Sequence, residues 1–152
     1  YWFLIFVAIL VIVDEKIKNF GLRYFPDEQT INQEHFFNLG IHKNLGLAFD
    51  IPFRKEFILL VSLIIGYFLI KMVIKNFSIH PKISFACLLI IFGALGNIYD
   101  RIVYGFTVDY IIILGKSAFN ISDLIIIFGV ILLLITSRRN KTELQDKHPD
   151  LI

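Results

Sequence analysis

Between Glu56 and Lys71 the chain runs FILLVSLIIGYFLI without a charge, and Tyr1–Val13, Ile83–Gly96 and Ile121–Thr136 are comparably apolar. In hydrocarbon every backbone N–H and C=O must be satisfied within its own segment or in a closed barrel, so such runs are expected as helices. A spanning helix needs roughly 20 predominantly apolar residues, within about 17–25. Phe57–Val73 meets that directly, and the other three reach it with their flanks. Composition agrees: 57% of residues are hydrophobic and the mean hydropathy is +0.72, against about 45–50% apolar for soluble domains. The expected fold class is a mainly α membrane protein of four transmembrane helices, with a small β-sheet cradle and loop on its outer face. Residues 1–139 are expected to form the membrane domain and 140–152 a polar cytoplasmic tail, with the polar stretch after Ser137 reading as disordered.

The first run begins at Tyr1 with no charged region ahead of it, and VDEKIKNF offers no small-residue cleavage site, so a truncated first span is expected rather than a signal peptide. Lys71, Lys75 and Lys82 crowd the second inter-span link without an acid, and the fourth run ends in SRRNK. Basic residues mark the cytoplasmic side, which places both termini inside. Residues 14–56 and the link 99–119 then lie outside. The tail of the longer segment, HFFNLGIHKNLGLAFDI, mixes strand-favouring aromatics with Gly and Asn turn signals, and YGFTVDYIIIL has strand character and can pair with it.

Several classes fall away. The formal charge of +2, from 15 basic and 13 acidic residues, suits no general nucleic-acid binder. The single cysteine, Cys87, cannot form an internal disulfide and sits in an apolar run as a packing residue. No HExxH, CxxC, GxGxxG or Walker sequence occurs, and the four histidines are scattered, so metal and nucleotide chemistry are poor first guesses.

Acids beside lipid-destined segments demand an account, because an ionisable residue inside a bilayer costs several kcal/mol by most scales. Asp123, three residues after Asn120, fits a helix start with an Asn cap. Asp109, in TVDYIIIL, fits a solvated strand or a partner for Lys116. Yet both are expected at the same outer interface. If they approach closely in partial shelter from water, repulsion and desolvation make them share one proton. The ionised carboxylate then takes a proton from water while the neutral one polarises a peptide carbonyl.

The words NLGLAF (Asn44–Phe49), GALGNIYDR (Gly93–Arg101), TVDYI (Thr107–Ile111) and AFNISD (Ala118–Asp123), after a VDEKIK element containing Asp14 and Lys18, occur in an order that resembles lipoprotein signal peptidase, the bacterial signal peptidase II family of membrane aspartic peptidases. The resemblance extends to about Arg139. It implies that Asp109 and Asp123 are the catalytic aspartates and that Asn44, Asn97, Arg101 and Asn120 line the pocket. It implies supporting roles for Asp100, Asp14 and Lys18, with Asp100 positioning Arg101 and Asp14 the outer segment; an interfacial Asp100–Arg101 ion pair is the simpler alternative. The implied substrate is a prolipoprotein whose Cys carries diacylglyceryl, cut on the amino side of that Cys in the bacterial plasma membrane. The protein is expected to act as a monomer among membrane lipids, its outer segment closing over the site. The chain departs from the family pattern in the 13 residues between Asp109 and Asp123 (123 − 109 − 1), fewer than expected, in Ser122 and Leu124 where small residues are usual, and in Leu47 where Ala is usual. Two other classes stay open on the residues alone: a proton or ion conduit using Asp100, Asp109 and Asp123, and a non-enzymatic membrane binding protein whose acids only orient helices.

Overall fold

The computed structural model describes residues 2–25, 36–46, 51, 53–113 and 117–147, with side chains described as far as Arg139. Its order is α1 (Trp2–Tyr24), β1 (Phe37–Asn44), α2 (Lys55–Asn76), α3 (Pro81–Val103), β2 (Thr107–Ile113), β3 (Ser117–Phe119) and α4 (Ile121–Lys147). Three of the four helices, α2, α3 and α4 through Arg139, are long and apolar enough to cross a membrane. The fourth, α1, is as long, but its second half carries Asp14, Glu15, Lys16 and Lys18.

Hydropathy alone ends α1 at Val13 and opens an outer segment at Asp14. The helix instead continues three turns to Tyr24. Asp14, Lys18 and Gly21 are its buried residues there, spaced as one helical face, so the charges point inward rather than ending the helix. The expectation of disorder after Ser137 is corrected as far as Lys147: α4 runs on to that residue, through KTELQDK, whose Lys, Glu, Leu and Gln are good helix formers, and 148–152 lie outside the described residues.

Helix α3 is the centre of the bundle, with ten buried residues from Ile83 to Asp100. On one side Leu69 of α2 packs against Ile83, Cys87 and Ile90. On another, Val7 of α1 and Ile125 of α4 close on Leu89. The α3–α4 seam is antiparallel and nearly at backbone contact. A Cβ on Gly96 would sit 2.5 Å from the Ser122 hydroxyl oxygen, and one on Gly129 would sit 3.1 Å from the Ala86 carbonyl. Large apolar side chains, among them Phe6, Ile9, Leu63, Phe68, Ile131 and Leu134, face outward. So extensive an exposed apolar sheath suits lipid rather than water.

Over one end of the bundle lies a three-stranded antiparallel sheet ordered β1-β2-β3. β1 pairs with β2 as expected, from Phe37 opposite Ile113 to Asn44 opposite Thr107. The register slips between Leu39 and His42, which places one extra residue in β1 and re-aims its end toward the bundle. β3, which sequence reasoning missed, folds back on Ile111–Ile113. That hairpin takes up most of the short Asp109–Asp123 link; Lys116 and Leu47 lie outside the described residues. Gly105, at φ 86°, makes the turn from α3 into β2, a conformation that favours glycine.

Candidate active site

The start of α4 is a reciprocal cap. The Asn120 side-chain oxygen accepts the Asp123 amide at 2.8 Å, and the Asp123 carboxylate accepts the Asn120 amide at 3.2 Å. This is a capping box with Asp at its third position. It orients Asn120: with its oxygen committed to the helix, its amide nitrogen points at Asp109 and donates at 2.7 Å. One buried residue thus holds both acids.

Each carboxylate has a second amide. Asn44, at the end of β1, donates to Asp109 Oδ2 at 3.0 Å, two residues along β2 from its register partner, where diagonal neighbours share a face. Asn97 of α3 donates to Asp123 Oδ1 at 2.7 Å. Asp109 is 1% exposed, and Asp123 is partly accessible. Burial pushes the Asp109 carboxyl up to about 7; the nearby Asp123 charge adds to this, while the Asn44 and Asn120 bonds and Lys18 pull the other way. An acid that changes protonation near neutrality, beside a second carboxylate, is equipped to pass protons.

Arg101, one turn after Asn97, reaches across the site: its guanidinium donates to the Gly46 carbonyl at 3.1 Å and the Asn97 carbonyl at 3.4 Å. Gly46 N–H in turn donates to the Asn44 side chain at 3.0 Å. The guanidinium therefore ties the exit of β1, and with it Asn44, to α3. Among the described residues Arg101 has no ion-pair contact with Asp100.

Behind the carboxylates lies a charged layer centred on three fully buried side chains. Lys18 is 0% exposed and bridges Asp14 at 3.0 Å and Asp100 at 2.9 Å, both also fully buried. It also reaches Asn97 Oδ1 and Glu15 at 3.4 Å. Asp100 accepts the Val108 amide at 3.1 Å, so its hold is on strand β2 rather than on Arg101. Asp14 accepts from the Ile121 amide at 3.1 Å, the Ser122 amide at 3.3 Å and the Ser122 hydroxyl at 2.6 Å. It anchors the first turn of α4 rather than the outer segment, and a carboxylate at a helix N-terminus also meets the dipole favourably. Lys18 thereby locks the two acids that position the strand bearing Asp109 and the helix bearing Asp123.

All nine residues singled out from sequence meet in this network. Sequence reasoning missed three others. Tyr110 donates its hydroxyl to Asp14 at 2.7 Å, and burial together with Asp14 holds its phenol above the ordinary range. Ser122, which departs from the family pattern, gives Asp14 its shortest bond. Gly46 offers only backbone. Tyr110 was detectable as the aromatic next to Asp109 on a buried strand; Ser122 stood out only as a departure from the family pattern, and Gly46 leaves no signal of its own.

Comparison with known proteins agrees over nearly the whole chain. A family model described as signal peptidase (SPase) II matches residues 6–139. The lipoprotein signal peptidase of Caldicellulosiruptor bescii is 36% identical over 134 residues, covering 88% of this chain and 87% of its own. That of Pasteurella multocida is 31% identical over 150 residues, covering 93% and 91%. A bacterial membrane enzyme solved in meso at 2.3 Å superposes with a TM-score of 0.77 at 26% identity over 94% of this chain and 92% of its own. Another, solved at 1.9 Å, gives 0.72 at 30% identity over 89% and 92%. With helices, sheet and sequence aligned over that extent, the chain belongs to the signal peptidase II family.

Proposed function

We propose that this protein is the aspartic endopeptidase that removes the signal peptide from diacylglyceryl-modified prolipoproteins, cutting on the amino side of the lipidated Cys. Family membership supports lipoprotein signal-peptide removal. The observation that carries the finer reading is the pair Asp109 and Asp123, joined through Asn120 and each held by a further amide.

The chemistry follows from that pair. With one proton between them, the ionised carboxylate takes a proton from a water whose oxygen attacks the scissile carbonyl carbon, while the protonated carboxyl gives its proton to the carbonyl oxygen. Collapse of the tetrahedral species breaks the C–N bond. The amine of the lipidated Cys leaves with a proton from the pair, a hydroxyl of the tetrahedral species returns its proton to the pair as the carbonyl re-forms, the signal peptide leaves with a new carboxyl group, and one shared proton remains. No covalent enzyme intermediate is needed. Asn44, Asn97 and Asn120 hold the acids, Arg101 fixes the Asn44 turn, and Lys18 with Asp14 and Asp100 sets the distance between strand and helix.

We place the protein in the bacterial plasma membrane as a monomer of four spans, with both termini cytoplasmic and the site on the outer face. Support comes from Lys71, Lys75, Lys82, Arg138 and Arg139 at the end of the bundle away from the aspartates. A lipidated Cys keeps its acyl chains in the outer leaflet, so its scissile bond lies at the interface. A relay across the membrane would need acids at several depths, whereas Phe57–Val73 and Ile83–Gly96 contain none.

The test is cleavage of a diacylglyceryl-modified prolipoprotein peptide beside its unlipidated twin, by wild type, Asp109→Asn and Asp123→Asn in detergent. Cleavage of the lipidated peptide alone, lost in both variants with unfolding midpoints retained, is expected. Turnover surviving in either folded variant would remove that residue from the mechanism.

A further inference from the structure

At the end of the bundle farthest from Asp109 and Asp123, two clefts adjoin. One, of 380 Å³, lies where α3 starts and α4 passes Thr136, and His80, Lys82 and Arg139 line it. The other, of 580 Å³, is almost wholly apolar and runs between Phe3, Phe85, Phe128 and Leu132. They share Pro81, Lys82 and Leu132, and among the described residues no acid lines either. Lys82 and Arg139 are exposed. Helix α3 opens here with Pro81 in its first turn, no acid in that turn, and no cap from the His80 side chain. Its positive dipole end therefore adds to the two cations.

A cationic cleft that continues into an apolar groove on the lipid-facing surface asks for one molecule with both characters. A free anion would leave the groove uncovered, and a neutral lipid would leave the cations without a counter-charge. Lys82 lines both clefts, so its aliphatic stem and its ammonium suit the junction of an acyl chain with an anionic head. We infer that these adjoining clefts form a binding site for one anionic phospholipid, its phosphate between Lys82 and Arg139 and an acyl chain along Phe85, Phe128 and Leu132. The site is remote from the aspartates, and its test does not depend on peptide cleavage.

The full chain, purified in detergent, is titrated with phosphatidylglycerol and separately with phosphatidylcholine, and retained lipid is counted by native mass spectrometry. One phosphatidylglycerol should be held preferentially, and Lys82→Gln/Arg139→Gln should weaken it about 30-fold, to the level of phosphatidylcholine. Lys71→Gln/Lys75→Gln removes the same charge from α2 and should change retention less than about twofold. Leu132→Trp, which fills the groove, should weaken both lipids. Equal retention of the two lipids, equal loss from both double variants, or displacement by glycerol phosphate at comparable concentration would each overturn the site.

Discussion

Replacing Asn120 separates what it does for the fold from what it does for the chemistry. In Asn120→Ala, α4 loses its cap, worth about 0.5–2 kcal/mol. Asp109 also loses a donor at 2.7 Å, and a hydrogen bond to a charged group contributes about 1.5–3 kcal/mol. The loss of stability should total about 2–5 kcal/mol. Asn120→Ser keeps a short side-chain oxygen for the Asp123 amide and so keeps most of the cap, while the donor to Asp109 is still gone. If that bond is expressed fully in the transition state, turnover of the lipidated peptide falls about 10- to 150-fold in the Ser variant. The pH profile adds an independent sign. Asn120 is among the groups that pull the Asp109 carboxyl down toward about 7, so its removal moves that value further up. The proposed mechanism needs one proton on the pair, so wild-type turnover should decline above about pH 7, and the decline in Asn120→Ser should shift to higher pH. Initial rates at saturating substrate across the neutral range, beside thermal unfolding of both variants, provide the comparison. Alanine and serine variants equally stable, or an alkaline decline that moves to lower pH, would refute the reasoning.

The buried charge layer makes a second prediction: Lys18→Met leaves Asp14 and Asp100, both 0% exposed, without their cation and should cost about 3–5 kcal/mol, read as a lower unfolding midpoint. At the α3–α4 seam, Gly96→Ala meets the Ser122 hydroxyl oxygen at 2.5 Å and should destabilise by about 1–3 kcal/mol. Ser122→Ala should relieve part of that clash in the double variant, whereas Gly66→Ala, with nothing within 4 Å, should be neutral or stabilising; strict additivity of the seam pair would show that they do not touch. Finally, the Asp109 carboxyl is raised in the folded protein from 3.8 to about 7, so folding takes up a proton between those values and stability falls as pH rises through them, by up to about 4 kcal/mol. Asp109→Asn should flatten that slope; an unchanged slope would assign it to other groups.

The helices were legible because burial in lipid selects long apolar runs, and β1 and β2 because aromatic and β-branched residues gather between turn signals. Hydropathy failed where polar residues face the protein interior. It counted Asp14 and Lys18 as the end of a span because it cannot see that Asp100 neutralises Lys18 from another helix. Asp109 and Asp123 stood out as acids in apolar settings, and word order brought in the asparagines. Ser122 stayed hidden because a serine reads alike whether it faces lipid or caps a buried carboxylate. The extension of α4 was missed because polar composition was read as disorder, although its residues favour a helix. The resemblance implied that Asp100 positions Arg101 and Asp14 the outer segment, whereas Asp100 holds the Val108 amide and Asp14 finds Ser122 across 108 residues of sequence.

That separation bears on how the protein is made. Helix α1 carries Lys18 and Asp14 within itself, but Asn97, which completes the Lys18 contacts, lies 79 residues along the chain, and Asp100 lies further on. With α1 as the proposed fourth span, it must meet the membrane, while it emerges from the ribosome, with a polar stripe whose counter-groups have not been synthesised, a costly state in hydrocarbon. We expect α1 to remain beside the insertion machinery until α3 arrives, and the two to pass into lipid as a pair. Nascent chains stalled before and after Asn97 would report this through labelling of a cysteine placed at Ile17. Protection already complete in the shorter chain would mean that α1 settles alone.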